Sequence, residues 1–508
     1  MPTPENNDGR QPIGQAWLRR ELGLRVPAPA VESYVVAAAR RTEVLGPRTV
    51  ELYPRQYAVE AAPVRHLRFA LRHEPLDLGI LVAAFDAINP RDLEAWVEAE
   101  PTGGFSRRAW FLYETFTGRT LNLDDVVAGN YVPALDPAKH IVAKRRNSPR
   151  HRVADNLLGG RGLCPTVRRT PRLIERMSAR VDEDARRLVG SYDPALLARA
   201  INYIYTKETR SSFAIEGETP SAGRTERFVA ALRAASDFDL SDKAAVVRLQ
   251  GDIVDPRYAA ADWRDFQNFV GETVGGFREE LHFICPRPQE IPALMEAWMT
   301  MAGRVIDGDV EPVVAAAVTA FAFVFLHPFE DGNGRIHRFL IHHVLARRGF
   351  SPPGIIFPVS AAILRDMKSY DEVLATFSRP LFEYVDWGWT GDREVVVTND
   401  TGNLYRYFDA TAFAEYLYDR VTETVRRDLA EELDFITVFD RATAAVREVV
   451  DMPDRRVSLF VRLCLQNGGR LSGAKRSQFA ELDDAEVAAM EAAVRAASGP
   501  DSAPAPAM

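Results

Sequence analysis

Apolar residues recur at helical spacing along most of this chain. Val313 to Leu326 is its most apolar run; too short to span a bilayer, it predicts a buried helix. Just downstream, Ile336, Phe339, Leu340, Val344 and Leu345 repeat with the period of an amphipathic helix over 336–348. Ile201, Ile204, Tyr205 and Phe213 do the same over 198–215, and Gly217 is placed to end that helix as a left-handed C-cap residue. Residues 14–190 alternate helical patterns with Pro- and Arg-rich connectors, and Trp110, Phe111, Leu112, Tyr113 and Phe116 form an aromatic core helix. Residues 394–408 predict a β-hairpin, with Asn399, Asp400 and Gly402 supplying the turn. Helix resumes over 410–497. The expected plan is a mainly α protein with a loose arm (1–13), a helical N-terminal accessory domain (14–190), a helical central domain (191–390), a C-terminal helical region opening with a hairpin (391–497) and a disordered tail (498–508).

Composition narrows the class. The 508 residues are 46% hydrophobic and 26% charged, ordinary for a globular protein of about two to four domains. A net charge of −8 provides no global basic field for nucleic acid. Residues 141–152 hold five Lys or Arg and no acid, which in so short a run predicts a solvated or structural face. The three cysteines, Cys164, Cys285 and Cys464, lie far apart; they exclude a disulfide scaffold and fit a reducing compartment, so a cytoplasmic location is expected. The polar, acidic start does not read as a signal peptide, and no membrane partner is expected.

The chemistry concentrates in residues 327–338, His-Pro-Phe-Glu-Asp-Gly-Asn-Gly-Arg-Ile-His-Arg. His327 leaves the apolar helix ahead of Pro328, which disfavours helical backbone before it, and its imidazole can accept a proton near neutrality. Phe329 reads as a buried anchor for the loop. Asp331 is a hard oxygen donor suited to Mg²⁺ on phosphates, or alternatively an N-cap. Gly332, Asn333 and Gly334 open a helix, where free N–H groups and the dipole favour an anion, with the Asn333 amide as a further donor. Arg335 and Arg338 share one face of the first turn, where cations oppose the dipole unless an anion is present. Walker A and dinucleotide glycine patterns are absent, and no two histidines here have the four-residue spacing of a zinc helix.

This run resembles the signature of Fic-domain proteins, matching every fixed position of His-x-Phe-x-(Asp/Glu)-Gly-Asn-Gly-Arg-x-x-Arg. The resemblance implies an all-helical Fic core with a short β-hairpin flap, and transfer of AMP from ATP to a Ser, Thr or Tyr hydroxyl of a target protein. It implies that His327 deprotonates that hydroxyl and Asp331 holds Mg²⁺. Gly332, Asn333 and Gly334 would hold the α- and β-phosphates, Arg335 the β-phosphate and Arg338 the γ-phosphate. A lysine in place of Gly334 would mark the phosphorylating Doc type; glycine implies nucleotidyl transfer. Ser212-Phe-Ala-Ile-Glu216-Gly217 is similar to the family's inhibitory motif, (Ser/Thr)-x-x-x-Glu-(Gly/Asn), which implies that Glu216 pairs with Arg338 and takes the γ-phosphate position. Without the resemblance, Glu216 reads equally as a surface residue at an unfavourable helix C-terminus. Residues 262–288 resemble the flap region, and Ser360 and Tyr370 lie where relatives line the adenine pocket. The expected partners are ATP, an unidentified target protein and the chain itself through self-modification, with a homo-oligomer possible and nucleic acid not favoured. Three alternatives stay open: use of another nucleotide, removal of AMP with Glu216 positioning water, and a nucleic-acid-binding regulator built on the basic run and the segment Val457–Leu482.

Overall fold

The least polar segment becomes the centre of the fold. Helix Pro312–Leu326 starts where the Glu311 carboxylate accepts the Val314 N–H at 3.0 Å. Every residue from Val313 to Phe323 is at most 1% exposed, so the helix needs no polar face. It packs between Ile291–Ile306 and Asn333–Arg347, and the buried Trp298 indole donates to the Thr319 carbonyl at 2.9 Å.

The computed structural model describes residues 9–46, 48–274, 278–391 and 394–498. It divides into two compact units. The first comprises Met1–Arg180, Thr209–Pro353 and Val359–Arg420; the second comprises Val181–Glu208, Gly354–Pro358 and Val421–Met508. The architecture is mainly α with small sheets, as the periodicity predicts. Among the described residues no helix is long and apolar enough to cross a membrane.

The expectation of a helical accessory domain over 14–190 needs correction within the first unit. Four strands, in the order Gln11–Ile13, Val31–Val36, Arg48–Pro54, Arg41–Leu45, form a sheet, with Val31–Val36 parallel to Arg48–Pro54. Their burial alternates with period two, as at Ser33 and Val35 or Val50 and Leu52, but over runs too short to stand out among neighbouring helices. The loose arm is corrected with them. Gln11–Ile13 pairs with Ser33–Val35 and Ile13 is 1% exposed, because an edge strand gains a ladder and a core contact; residues 1–8 lie outside the described ones. The aromatic helix, Gly104–Thr117, is core as expected: Trp110, Leu112 and Tyr113 pack with Leu67, Leu81 and Phe85. The basic run is partly structural, since Arg150 reaches Glu114 and Asp125 at 3.1 and 2.8 Å.

The flap is a hairpin, Phe269–Val274 with Arg278–Ile284, bulged between Val270 and Gly271. The second hairpin lies earlier than expected. Trp387–Trp389 pairs with Val395–Val397, and Gly402–Arg406 is helical rather than strand. Asn399 therefore lies at the base of this hairpin and not in its turn: its Oδ1 accepts the Asp386 N–H at 2.9 Å and its amide donates to the Tyr384 carbonyl at 2.8 Å.

In the second unit, helices Leu429–Arg447, Asp454–Leu465 and Asp484–Ser498 enclose Val457, Phe460, Val461, Cys464, Phe479, Met490 and Val494. Val457–Leu482 carries no described strand, so it has helix packing and no wing. The buried Glu432 carboxylate is met by Lys207. Residues 499–508, most of the expected tail, lie outside the described ones.

Candidate active site

The apolar helix ends at His327, whose backbone turns left-handed (φ 50°, ψ 58°) ahead of Pro328. For a non-glycine residue this conformation costs about 1–2 kcal/mol, and Arg264 supplies the contacts that hold it. The Arg264 side chain is 5% exposed and donates to three carbonyls: His327 at 2.8 Å, Phe266 at 2.7 Å and Pro286 at 2.7 Å. Its own N–H donates to the Pro328 carbonyl at 2.8 Å. One buried guanidinium therefore ties the His327 turn to the base of the flap.

The imidazole is oriented by its own helix. Nδ1 lies 3.1 Å from the Val324 carbonyl, which can only accept, so Nδ1 carries the proton and Nε2 keeps its lone pair. The half-buried ring lines a cleft of about 1330 Å³, where desolvation lowers its pKa to about 4. It is a neutral acceptor across the physiological range.

Phe329 is 1% exposed and packs against Trp263, with ring centroids 5.1 Å apart. Its backbone is clamped by Asn333, whose Oδ1 accepts the Phe329 N–H at 3.1 Å and whose amide donates to the Phe329 carbonyl at 2.9 Å. One N–H of the Asn333 amide is thus spent on the Phe329 carbonyl. The side chain holds the loop closed, and what residues 333 and 334 offer a ligand is backbone N–H at a helix start. Gly332 takes φ 89°, and a side chain there would strike Val254 at 2.9 Å.

Asp331 does not cap the helix; Gly332 stands at the N-cap without a side-chain bond. The Asp331 Oδ1 instead accepts from the Gly332 N–H at 2.6 Å and from Arg335 Nη2 at 2.5 Å. The carboxylate is about a third exposed at the rim of the cleft. Among the described residues no group of three or more His, Cys, Asp or Glu could hold a metal by itself. One carboxylate beside a phosphate cradle fits Mg²⁺, which takes one or two protein carboxylates and completes its shell with phosphate oxygens and water.

The arginines and the distant inhibitory segment meet. Arg338 is 1% exposed. Its Nε donates to Ser212 Oγ at 2.8 Å, and its Nη2 donates to the Ser212 carbonyl at 2.7 Å and to Glu216 Oε1 at 2.8 Å. Glu216 directly follows helix Pro194–Ile215, and Gly217 turns the chain away at φ 70°. Its partner for the unfavourable end of the dipole is therefore Arg338. The same Oε1 explains Gly334, where a Cβ would lie 2.1 Å from it.

Arg335 is fully buried, and sequence reasoning missed its partner. Glu218 Oε1 lies 3.0 Å from Arg335 Nη2, and Glu218 is held in turn by Arg224 Nη2 at 2.8 Å. Arg224 and Arg335 both stand over the Phe213 ring. No local pattern marks Glu218, since its distinguishing feature is a contact 117 residues away. Arg264 and Gln250 escaped for the same reason; the buried Gln250 amide donates to the Asp331 carbonyl at 3.2 Å. Tyr370 lines the cleft, and burial raises its hydroxyl pKa to about 12. Ser360 is fully buried on Val359–Arg365 and is not among the cleft residues, which corrects its expected place.

Residues 240–345 match the sequence model of the Fic/DOC family. Over 253 residues the chain is 26% identical to Protein adenylyltransferase Fic of Nematostella vectensis, covering 43% of this chain and 56% of that protein. It is 42% identical over 50 residues to Protein adenylyltransferase fic-1 of Caenorhabditis elegans, covering 10% and 9%. The chain thus spans little more than half the length of the first of these curated relatives and far less of the second. A solved Fic family protein from Desulfovibrio desulfuricans G20 aligns with a TM-score of 0.38 at 20% identity, covering 61% of this chain and 88% of that one. The matched stretch contains the His327 turn, the glycine cradle and both arginines, and the chain carries a Fic domain.

Proposed function

We propose that this protein transfers AMP from ATP to a Ser, Thr or Tyr hydroxyl of a target protein, and that Glu216 restrains it. The observation that carries this is that His327 and Arg338 line one cleft. A lone-pair nitrogen shares that cleft with a helix N-terminus bearing two buried arginines, and one of those arginines is already engaged by a carboxylate from another segment.

Chemically, the target hydroxyl gives its proton to His327 Nε2 as its oxygen attacks the α-phosphorus. The bond from that phosphorus to the α–β bridging oxygen breaks, and pyrophosphate leaves. Such proton acceptance contributes about 10²–10⁴ in rate. The N–H groups of residues 333 and 334 and the two guanidiniums hold the phosphates once the carboxylates of residues 216 and 218 give way. Mg²⁺, held at Asp331, would neutralise phosphate charge. Tyr370 and the apolar wall of the cleft, including Phe325 and Leu374, exclude water on the nucleotide side. Glu216 occupies space beside Gly334 and a bond of Arg338, so a triphosphate must displace it.

The test is intact-mass spectrometry of wild type and Glu216→Gly after incubation with ATP and Mg²⁺, alone and with candidate target proteins. Addition of AMP that increases in the variant supports the proposal. Flat, equal spectra for both proteins, on themselves and on every added protein, sink it. Parallel reactions with UTP, GTP and CTP identify the nucleotide.

A further inference from the structure

Large apolar side chains stand exposed beside the mouth of the cleft. Trp387 is 36% exposed, Trp389 43%, Val396 44% and Val270 of the flap 40%. Exposed tryptophan in a cluster is costly to leave in water unless something covers it, and tryptophan is enriched where a few residues dominate binding. Trp387, Trp389 and Val396, with Phe382, line a groove of about 700 Å³. Phe382 also lines the catalytic cleft, and Trp389 meets the cleft residue Phe269 edge to face, centroids 5.7 Å apart. Groove and cleft are therefore neighbours that share walls.

The base of the hairpin is pinned. Thr398 N–H donates to the Asp386 carbonyl at 2.8 Å, the Asn399 side chain bonds to Asp386 and Tyr384 ahead of the first strand, and Asp386 pairs with Arg25 at 2.7 Å. The two indoles meet each other edge to face at 6.1 Å. The charged member of the groove left over is Glu383, exposed and without an ion pair among the described residues. Indole faces with a free carboxylate suit a long cationic side chain, whose methylene stem covers the rings and whose head meets the carboxylate.

We propose that the Trp387–Trp389 groove docks the target protein, receiving a Lys or Arg side chain from the segment that presents its hydroxyl to His327. The inference rests on AMP transfer as the proposed function, and it deepens that function by giving the target a recognisable feature. The groove fixes the register of the substrate from outside the chemistry, while the cleft performs it.

The experiment uses Glu216→Gly as the parent enzyme, with labelled ATP and a soluble extract of the source cells, and measures ATP affinity by calorimetry in parallel. Trp387→Ala/Trp389→Ala in that background is expected to lower labelling of extract proteins by about tenfold or more, the scale of a binding hot spot, with ATP affinity unchanged. Glu383→Lys is expected to lower it similarly, by repulsion. Unchanged labelling in the tryptophan variant overturns the proposal. A fall in ATP affinity overturns it too, because the hairpin then only shapes the cleft. Unchanged labelling in Glu383→Lys overturns the basic side chain as the occupant. If the parent binds ATP yet labels nothing, AMP transfer itself is what fails, and the docking site falls with it.

Discussion

Glu218 Oε1 lies 3.0 Å from Nη2 of Arg335, an arginine with no exposed surface, on the same turn of chain that brings Glu216 to Arg338. The two arginines that would hold a polyphosphate therefore each face a carboxylate from residues 216–218. Glu216 Oε2 also stands 3.8 Å from Arg335 Nε, and Asp331 completes a ring of three acidic residues around one guanidinium.

A second restraint is expected from this geometry. If Arg335 binds the β-phosphate, Glu218 competes with ADP as well as ATP, whereas Glu216 at Arg338 competes with the γ-phosphate. Glu218→Gln should tighten ADP binding roughly fivefold, the effect of about 1 kcal/mol for a partly exposed pair. Glu216→Gly should tighten ATP more than ADP. Calorimetry with both nucleotides on both variants measures this, and equal responses to the two substitutions would refute separate roles.

Gly334 and Glu216 should be coupled. A Cβ at 334 would lie 2.1 Å from Glu216 Oε1, so Gly334→Ala must displace that carboxylate. The substitution should cost about 1–3 kcal/mol in the wild type, as for overpacking, and clearly less in Glu216→Gly. A denaturant-unfolding double-mutant cycle reports the difference; additive costs would show that residue 334 is limited by something else.

The pH dependence of transfer follows from His327. With its pKa lowered to about 4 by desolvation, the imidazole stays neutral, and able to accept a proton, well below the ordinary histidine range. The rate in Glu216→Gly should therefore hold its value from pH 7 down to about 5 rather than halving near 6.5. His327→Ala should remove transfer, by about 10²–10⁴, while leaving ATP affinity unchanged. A rate–pH profile with an acid limb centred near 6.5 would contradict the desolvation of the ring.

Stability has its own pH signature, away from the site. Glu74 is 2% exposed, its Oε2 accepts the Gln15 N–H at 2.9 Å, and desolvation raises its pKa to about 7. A carboxyl whose folded pKa exceeds its unfolded value contributes stability that is full below about 4.5 and is lost as pH rises towards 7. The buried histidines His66 and His140, each lowered to about 4, act oppositely and lose stability as pH falls below 6.5. Glu74→Gln removes only the first effect. The stability difference between variant and wild type should shift in the variant's favour by on the order of 3 kcal/mol between pH 4.5 and 8. Thermal unfolding at both pH values measures it, and a pH-independent difference would refute it.

Local pattern was enough to determine the buried helix before His327, the glycine-opened helix after it, and the residues proposed here as a base and a phosphate cradle. Each of these is set by neighbours within a few residues: apolar spacing, a proline after His327, glycines at a helix start. The match between Ser212–Gly217 and Arg338 was legible only through a resemblance, since nothing local pairs residues 126 positions apart. The short strands of 11–54 were hidden because two or three alternations cannot outweigh a helical background, and their pairing is non-local. What tertiary structure alone decided was the use of each polar group. It committed the Asn333 amide to Phe329, gave Glu218 to Arg335, and set Arg264 beneath the His327 turn. The reason is the same in all three: a buried polar side chain must find a partner, and only the folded packing determines which partner is within reach.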